Sequence, residues 1–337
     1  MNNTAPITRY PLHLTISALF ITLIVILGAV LSWQNYSKTS DIIRSSAGKM
    51  YDQVATELLL DIKGTYRPIG DTLGLLALTP ITRAGSLAER LDAIDMLGEA
   101  LRGNPSVTAI QIGYPNGDFF ILRPLQGDVA RKQFAAPVDA VFVADQVDSD
   151  AGQRRQLLRI YLDANLREIS RNPPEITDYD PRLRDWYAQA VAATELVLTR
   201  PYLFYFARKV GVTLARQVGE SGVVVASDVT LDNLSDTISR YKITPGSEIV
   251  LFSEDGRAIA YPDAGKLVRV SGENEIRIAQ LADLGSDVLA YLGKNLQVEP
   301  RSLQFTYDNR KWEGTIRKVT RDGVAAIYVL MVSPVDE

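Results

Sequence analysis

The sequence has no cysteine and a single histidine, His13, among 337 residues. Without cysteine there is no disulfide framework, no thiol nucleophile and no thiolate metal ligand. One imidazole at the edge of an apolar segment cannot build a multi-histidine metal site, and it leaves the rest of the chain without histidine general-base chemistry. His13 itself reads as a membrane-interface residue. No G-x-S-x-G nucleophile elbow occurs either. The net charge of −4 supplies no basic stripe of the kind a nucleic-acid surface needs. No catalytic residue, metal, cofactor or nucleic-acid partner is therefore expected.

Charge is also absent from Leu14 to Trp33, twenty residues long enough to cross about 30 Å of hydrocarbon as a helix. Trp33 and Tyr36 suit the membrane–water boundary, and Arg9 lies on the short N-terminal side. A cleaved signal peptide is the rival reading. Its apolar core is shorter, about 7–15 residues, and a small-x-small site should follow. "LSWQNY" offers none. Residues 14–33 thus read as an uncleaved anchor in contact with lipid, with residues 34–337 outside the cell membrane.

The composition beyond the anchor is that of an ordinary folded protein of two or three domains. Residues 34–78 read as a helical stalk, with a bend or break expected at Pro68 and Gly70. "SLAERLDAIDMLGEALRG" reads as a second helix, opened by Ser86 and Glu89 as a capping box and closed at Gly103. After Pro105 strands take over. Asn116-Gly117 and Asp255-Gly256 each mark a hairpin between β-rich runs, so the same step is used twice. The helix "LDNLSDTISRY", beginning near Asp232, joins the two halves, and Tyr261 and Asp263 read as turn residues in the second. The fold class is α+β: two tandem antiparallel-sheet units, residues 79–235 and a smaller 236–337. The end at "LMVSPVDE" reads as a cut ahead of another membrane span.

The most chemically loaded stretch is "DYDPRLRDWYAQA", Asp178 to Ala190. Asp180 before Pro181 fits a helix N-cap, and the helix is expected to start there. Arg184 and Tyr187, three apart, would then share a face, with Trp186 displaced from it. A guanidinium clamps a carboxylate with two parallel hydrogen bonds, and aromatic walls give rigid contact surface. The bland alternative packs Trp186 and Tyr187 against the sheet and pairs Arg184 internally.

Tyr179, Arg184, Trp186 and Tyr187 match a Y-x4-R-x-W-Y pattern. On it the chain resembles the double Cache sensor domains of bacterial transmembrane receptors, over roughly residues 34–337. That resemblance implies a long helix followed by a membrane-distal and a membrane-proximal PAS-like unit. It also implies a location in the bacterial inner membrane with the sensor in the periplasm, and homodimerisation. In the amino-acid-binding branch the four motif positions hold the ligand carboxylate. Tyr202 matches an aromatic of that pocket, and Asp228 the acidic residue that pairs with the ligand amine. A further aspartate of the branch is replaced by Phe204 and Tyr205. A carboxylate, an amine or an amino acid therefore all stay open as the solute. "PYLFYFARKVGVTLARQV" is most similar to sensor halves of membrane-bound class III adenylate cyclases. The expected function is a sensor reporting to a cytoplasmic cyclase. A chemoreceptor, histidine kinase or diguanylate cyclase output, or a protein-interaction module without small ligand, is the alternative.

Overall fold

Apolar residues spaced by three and four build the first and longest element, helix α1, Leu12–Leu76. The structure, a computed structural model, describes residues 12–148, 154–271, 275–319 and 326–337. Arg9 lies outside them, as does the side chain of His13. By internal contacts the chain divides into one unit ending at Gln53 and a second spanning Val54–Glu337. In the first, Leu19–Tyr36 of α1 is long and apolar enough to cross a membrane, with leucine, isoleucine and valine side chains exposed.

In the second unit α1 buries Ala55, Leu58, Ile62, Ile69, Leu73 and Leu76, a single apolar stripe. The break expected at Pro68 does not occur: the helix continues to Leu76. An internal proline costs about 3 kcal/mol, partly by crowding the carbonyl four residues earlier. Here that residue is Gly64. Buried aliphatics on both sides of Pro68, at about 1.5–3 kcal/mol each, outweigh the penalty. The second expected helix is instead two. Ser86 and Glu89 form the capping box of α2, Leu87–Leu91, and α3 spans Ile94–Gly103. Arg90 of α2 is buried against Asp118 Oδ2 at 2.7 Å and Asp148 Oδ1 at 3.1 Å, while α3 buries Leu97 and Leu101. The turn at Asp92–Ala93 lets each piece face its own partner.

The larger sheet contains β1 (Ala109–Gly113), β2 (Phe119–Pro124), β3 (Phe142–Asp148), β4 (Gln156–Leu162), β5 (Glu168–Arg171) and β6 (Glu175–Ile176). It is completed by β7 (Val197–Leu198), β8 (Tyr202–Leu203), β9 (Val210–Gln217) and β10 (Val224–Thr230). Helices α4 (Gly127–Gln133) and α5 (Asp185–Val191) lie within this run, and α6 (Leu231–Ser239) follows it. The second half supplies β11 (Glu248–Ser253), β12 (Ala258–Ala260), the small pair β13 (Val268–Ser271) and β14 (Glu275–Ile278), and helix α7 (Asp287–Lys294). The strands β15 (Arg301–Tyr307), β16 (Arg310–Lys318) and β17 (Ile327–Pro334) end it.

The order in the larger sheet is β5-β4-β3-β2-β1-β10-β9-β7, and in the smaller β12-β11-β17-β16-β15. The run β2-β1-β10-β9 is thus repeated as β12-β11-β17-β16, all antiparallel. Each begins at one of the two expected hairpins, where Gly117 and Gly256 adopt φ of +91° and +78° that other residues resist. In the smaller half Asp263 does cap a turn, accepting from Gly265 N at 3.2 Å. Tyr261 is more than a turn residue: it is buried, and its hydroxyl donates to Glu248 at 2.9 Å.

Candidate functional site

Asp180 accepts from Arg182 N at 3.0 Å and so caps a short 3-10 turn, Pro181–Leu183. Arg155 fixes this turn to the β1–β2 hairpin, donating to Asp180 Oδ2 at 2.7 Å and to the Gly117 carbonyl at 2.9 Å. Arg184 then leaves the turn in extended conformation, φ −97° and ψ 141°, and α5 starts only at Asp185. The expectation that Arg184 and Tyr187 share a helical face fails for this reason: Arg184 precedes the helix. Arg184 and Trp186 line a cleft over the larger sheet, whereas Tyr187 does not. The Tyr187 ring is in the core between α5 and the sheet, and its hydroxyl donates to the Gly222 carbonyl at 2.5 Å.

Tyr179, Tyr202 and Asp228 line the same cleft. Five of the six residues singled out from the sequence are therefore gathered at one place, from the loop before α5, from α5 itself, from β8 and from β10. The half-buried Arg184 has no carboxylate partner among the described residues; its guanidinium carbon lies 5.8 Å from the Tyr205 ring centre. Arg123, which also lines the cleft, is already spoken for. It bonds the fully buried Asp145 at 2.7 Å, and Arg159 bonds the other oxygen of that carboxylate at 2.7 Å.

Asp228 is the acid of the cleft. Its Oδ1 accepts from Gln111 Nε2 at 3.0 Å and from Thr213 Oγ1 at 2.6 Å, and its Oδ2 takes no hydrogen bond from the described residues. Burial pushes this carboxyl up to about 6, although Thr213 and the charge of Arg123 pull the other way. The Tyr202 hydroxyl lies 2.6 Å from Thr213 Oγ1, extending the chain Tyr202–Thr213–Asp228. Burial raises the Tyr179 and Tyr202 hydroxyls, which hold their protons at any ordinary pH.

A strap of Phe204–Ala207 covers the cleft. Phe206 lies 4.8 Å from the Tyr179 ring and 5.1 Å from the Arg123 guanidinium, and Tyr205 lies 5.1 Å from Tyr179. With the strap in this position the free volume is about 20 Å³, room for about one water molecule. Sequence reasoning missed Gln111, Arg123, Thr213 and Phe206. The signal for the first three is a polar residue inside an otherwise apolar strand, as in "AIQIG", "FFILRP" and "VGVTLA".

Among curated proteins, 28% identity over 207 residues links the chain to adenylate cyclase 1 of Rhizobium meliloti, covering 60% of the chain and 31% of that protein. Methyl-accepting chemotaxis proteins of Bacillus subtilis and Pseudomonas species also match, over shorter stretches. The chain spans less than a third of the length of these relatives. Among solved structures, the ligand-binding domain of Pseudomonas fluorescens chemoreceptor CtaA, in complex with L-isoleucine, superimposes with TM-score 0.51 at 16% identity. It covers 88% of the chain and 94% of that domain. The ligand-binding domain of Campylobacter jejuni chemoreceptor Tlp3, in complex with L-valine, gives 0.53 at 14%, covering 87% and 95%. No family model matches.

Proposed function

The chain has the fold of chemoreceptor ligand-binding domains, and from that premise we propose that it is a double-Cache-type sensor domain whose cleft between Arg184 and Asp228 binds a small amino acid. One observation carries the reading. A guanidinium without a carboxylate partner and a buried carboxylate with an oxygen that takes no hydrogen bond, both among the described residues, line the same cleft. A zwitterion offers a carboxylate to the first and an ammonium to the second. The tyrosines and Trp186 supply its apolar walls. The chemoreceptor domains that share the fold are in complex with L-isoleucine and L-valine, which supports the same ligand class here. Entry requires the strap Phe204–Ala207 to lift, since the closed cleft has no room for such a solute.

On this reading residues 79–235 are the membrane-distal unit and 236–337 the membrane-proximal one. Residues 14–33 anchor the chain in a bacterial inner membrane, with 34–337 in the periplasm. Two copies pair through their long helices, and ligand binding biases that pairing towards one of two arrangements. The output is a cytoplasmic adenylate cyclase, the activity for which the relative from Rhizobium meliloti is named, with a chemoreceptor as the second reading.

The test is thermal unfolding of the full chain in nanodiscs against amino acids, amines and carboxylates. A ligand at a hundred times its Kd adds about 2.7 kcal/mol. The shift should vanish in Arg184→Ala, whose melting without ligand stays close to the parent because no ion pair is lost. It should persist in Tyr187→Phe, which lies outside the cleft. Absence of any shift, or one indifferent to Arg184, would return the motif to core packing.

A further inference from the structure

A second, larger cavity of about 680 Å³ lies where α1, the larger sheet and the smaller sheet meet. Its lining is aliphatic almost throughout, with Leu60 from α1, Val212 and Leu214 from β9, and Leu251 from β11. No Asp or Glu lines it. The charged groups present are two cations, Lys63 and Arg67, one helical turn apart on α1 and exposed at its rim. Neither makes an ion pair or hydrogen bond with the described residues. Well-packed proteins do not keep apolar space of this size unfilled, and pockets that hold organic ligands fall at about 300–1,000 Å³ with apolar walls and few polar groups.

We propose that this cavity is a binding site for a long-chain fatty acid, its tail among the leucines and valines and its carboxylate on Arg67 and Lys63. The apolar walls select a hydrocarbon, and the all-cationic rim selects an anionic head. A carboxylate fits the fork of Arg67 with two parallel hydrogen bonds. A neutral lipid would leave both cations unanswered, and a cationic amphiphile would be repelled. The site is distinct from the amino-acid cleft: Arg184 and Asp228 do not line it.

The experiment exposes the full chain in nanodiscs to a photoactivatable long-chain fatty acid and maps labelled peptides by mass spectrometry. Label is expected on the peptides carrying Val212–Leu214 and Leu251, and excess unmodified fatty acid should remove it. The double variant Lys63→Gln, Arg67→Gln should need about tenfold more probe, the loss of one or two charge-assisted hydrogen bonds. Both positions are exposed, so the variant keeps its fold, and Arg184→Ala should label like the parent. Cavity peptides without label, equal labelling by the matching long-chain alcohol, or an undiminished double variant would each overturn the proposal. So would a Leu60→Cys chain that cross-links to a second copy and thereby excludes the probe, because the occupant would then be protein.

Discussion

Burial holds the Asp228 carboxyl near 6, against about 3.9 for aspartate in an unfolded chain. The folded state therefore binds the proton more tightly. The contribution of Asp228 to stability is greatest below about pH 4, falls as pH rises through 4 to 6, and is level above. The difference between about 3.9 and about 6 corresponds to about 3 kcal/mol. Asp228→Asn keeps an oxygen to accept from Gln111 and Thr213 but carries no charge. Denaturant unfolding should show it more stable than the parent by up to about 3 kcal/mol at pH 7, with no gain at pH 4, and blind to amino acids. A variant no more stable than the parent at pH 7 would deny that ionised Asp228 strains the free protein. Tyr179, Arg184 and Trp186 could be picked out together from the sequence, since a guanidinium among aromatics is legible as chemistry, whereas Tyr202 and Asp228 were reached only through the resemblance to double Cache domains. Tyr187 was grouped with them because spacing counts only within one helix, and the extended Arg184 resets the count. Gln111 and Thr213 escaped because their role depends on which residue stands opposite in the sheet.

The two hairpin turns could be read locally, because a Gly after Asn or Asp states its own backbone conformation. The partner strands could not. That β10 returns beside β1 and β17 beside β11 depends on contacts across much of each half, and no local pattern records them. The repeated strand order has a further signature. Gly211 on β9 and Gly314 on β16 occupy corresponding strands, and a methyl group on either would run into a carbonyl of the neighbouring strand, Val229 or Met331. Close approach of these strand pairs explains two glycines that strand propensity alone would penalise. Gly211→Ala and Gly314→Ala should each cost about 1–3 kcal/mol as the strands are forced apart, measured by chemical denaturation. Only the first should weaken the amino-acid response, because β9 carries Thr213.

Across the whole molecule, β9 faces two ways. Thr213 turns towards Asp228 and Tyr202, while Val212 and Leu214 on either side of it turn into the apolar cavity, as alternation along a strand demands. If both sites fill as proposed, one backbone carries their difference in preferred position. A coupling of about 1–3 kcal/mol would change either affinity by about 5–150-fold, and the factor must be the same in both directions. Titrating the amino acid with and without fatty acid, and the fatty acid with and without amino acid, should give equal ratios. A ratio of one in both would mean that β9 does not shift. A strand a single residue thick cannot insulate what it separates. The chain would then compare rather than detect: its reading of a nutrient outside would depend on the lipid already lodged behind it, and the order of their arrival would leave no trace in the final state.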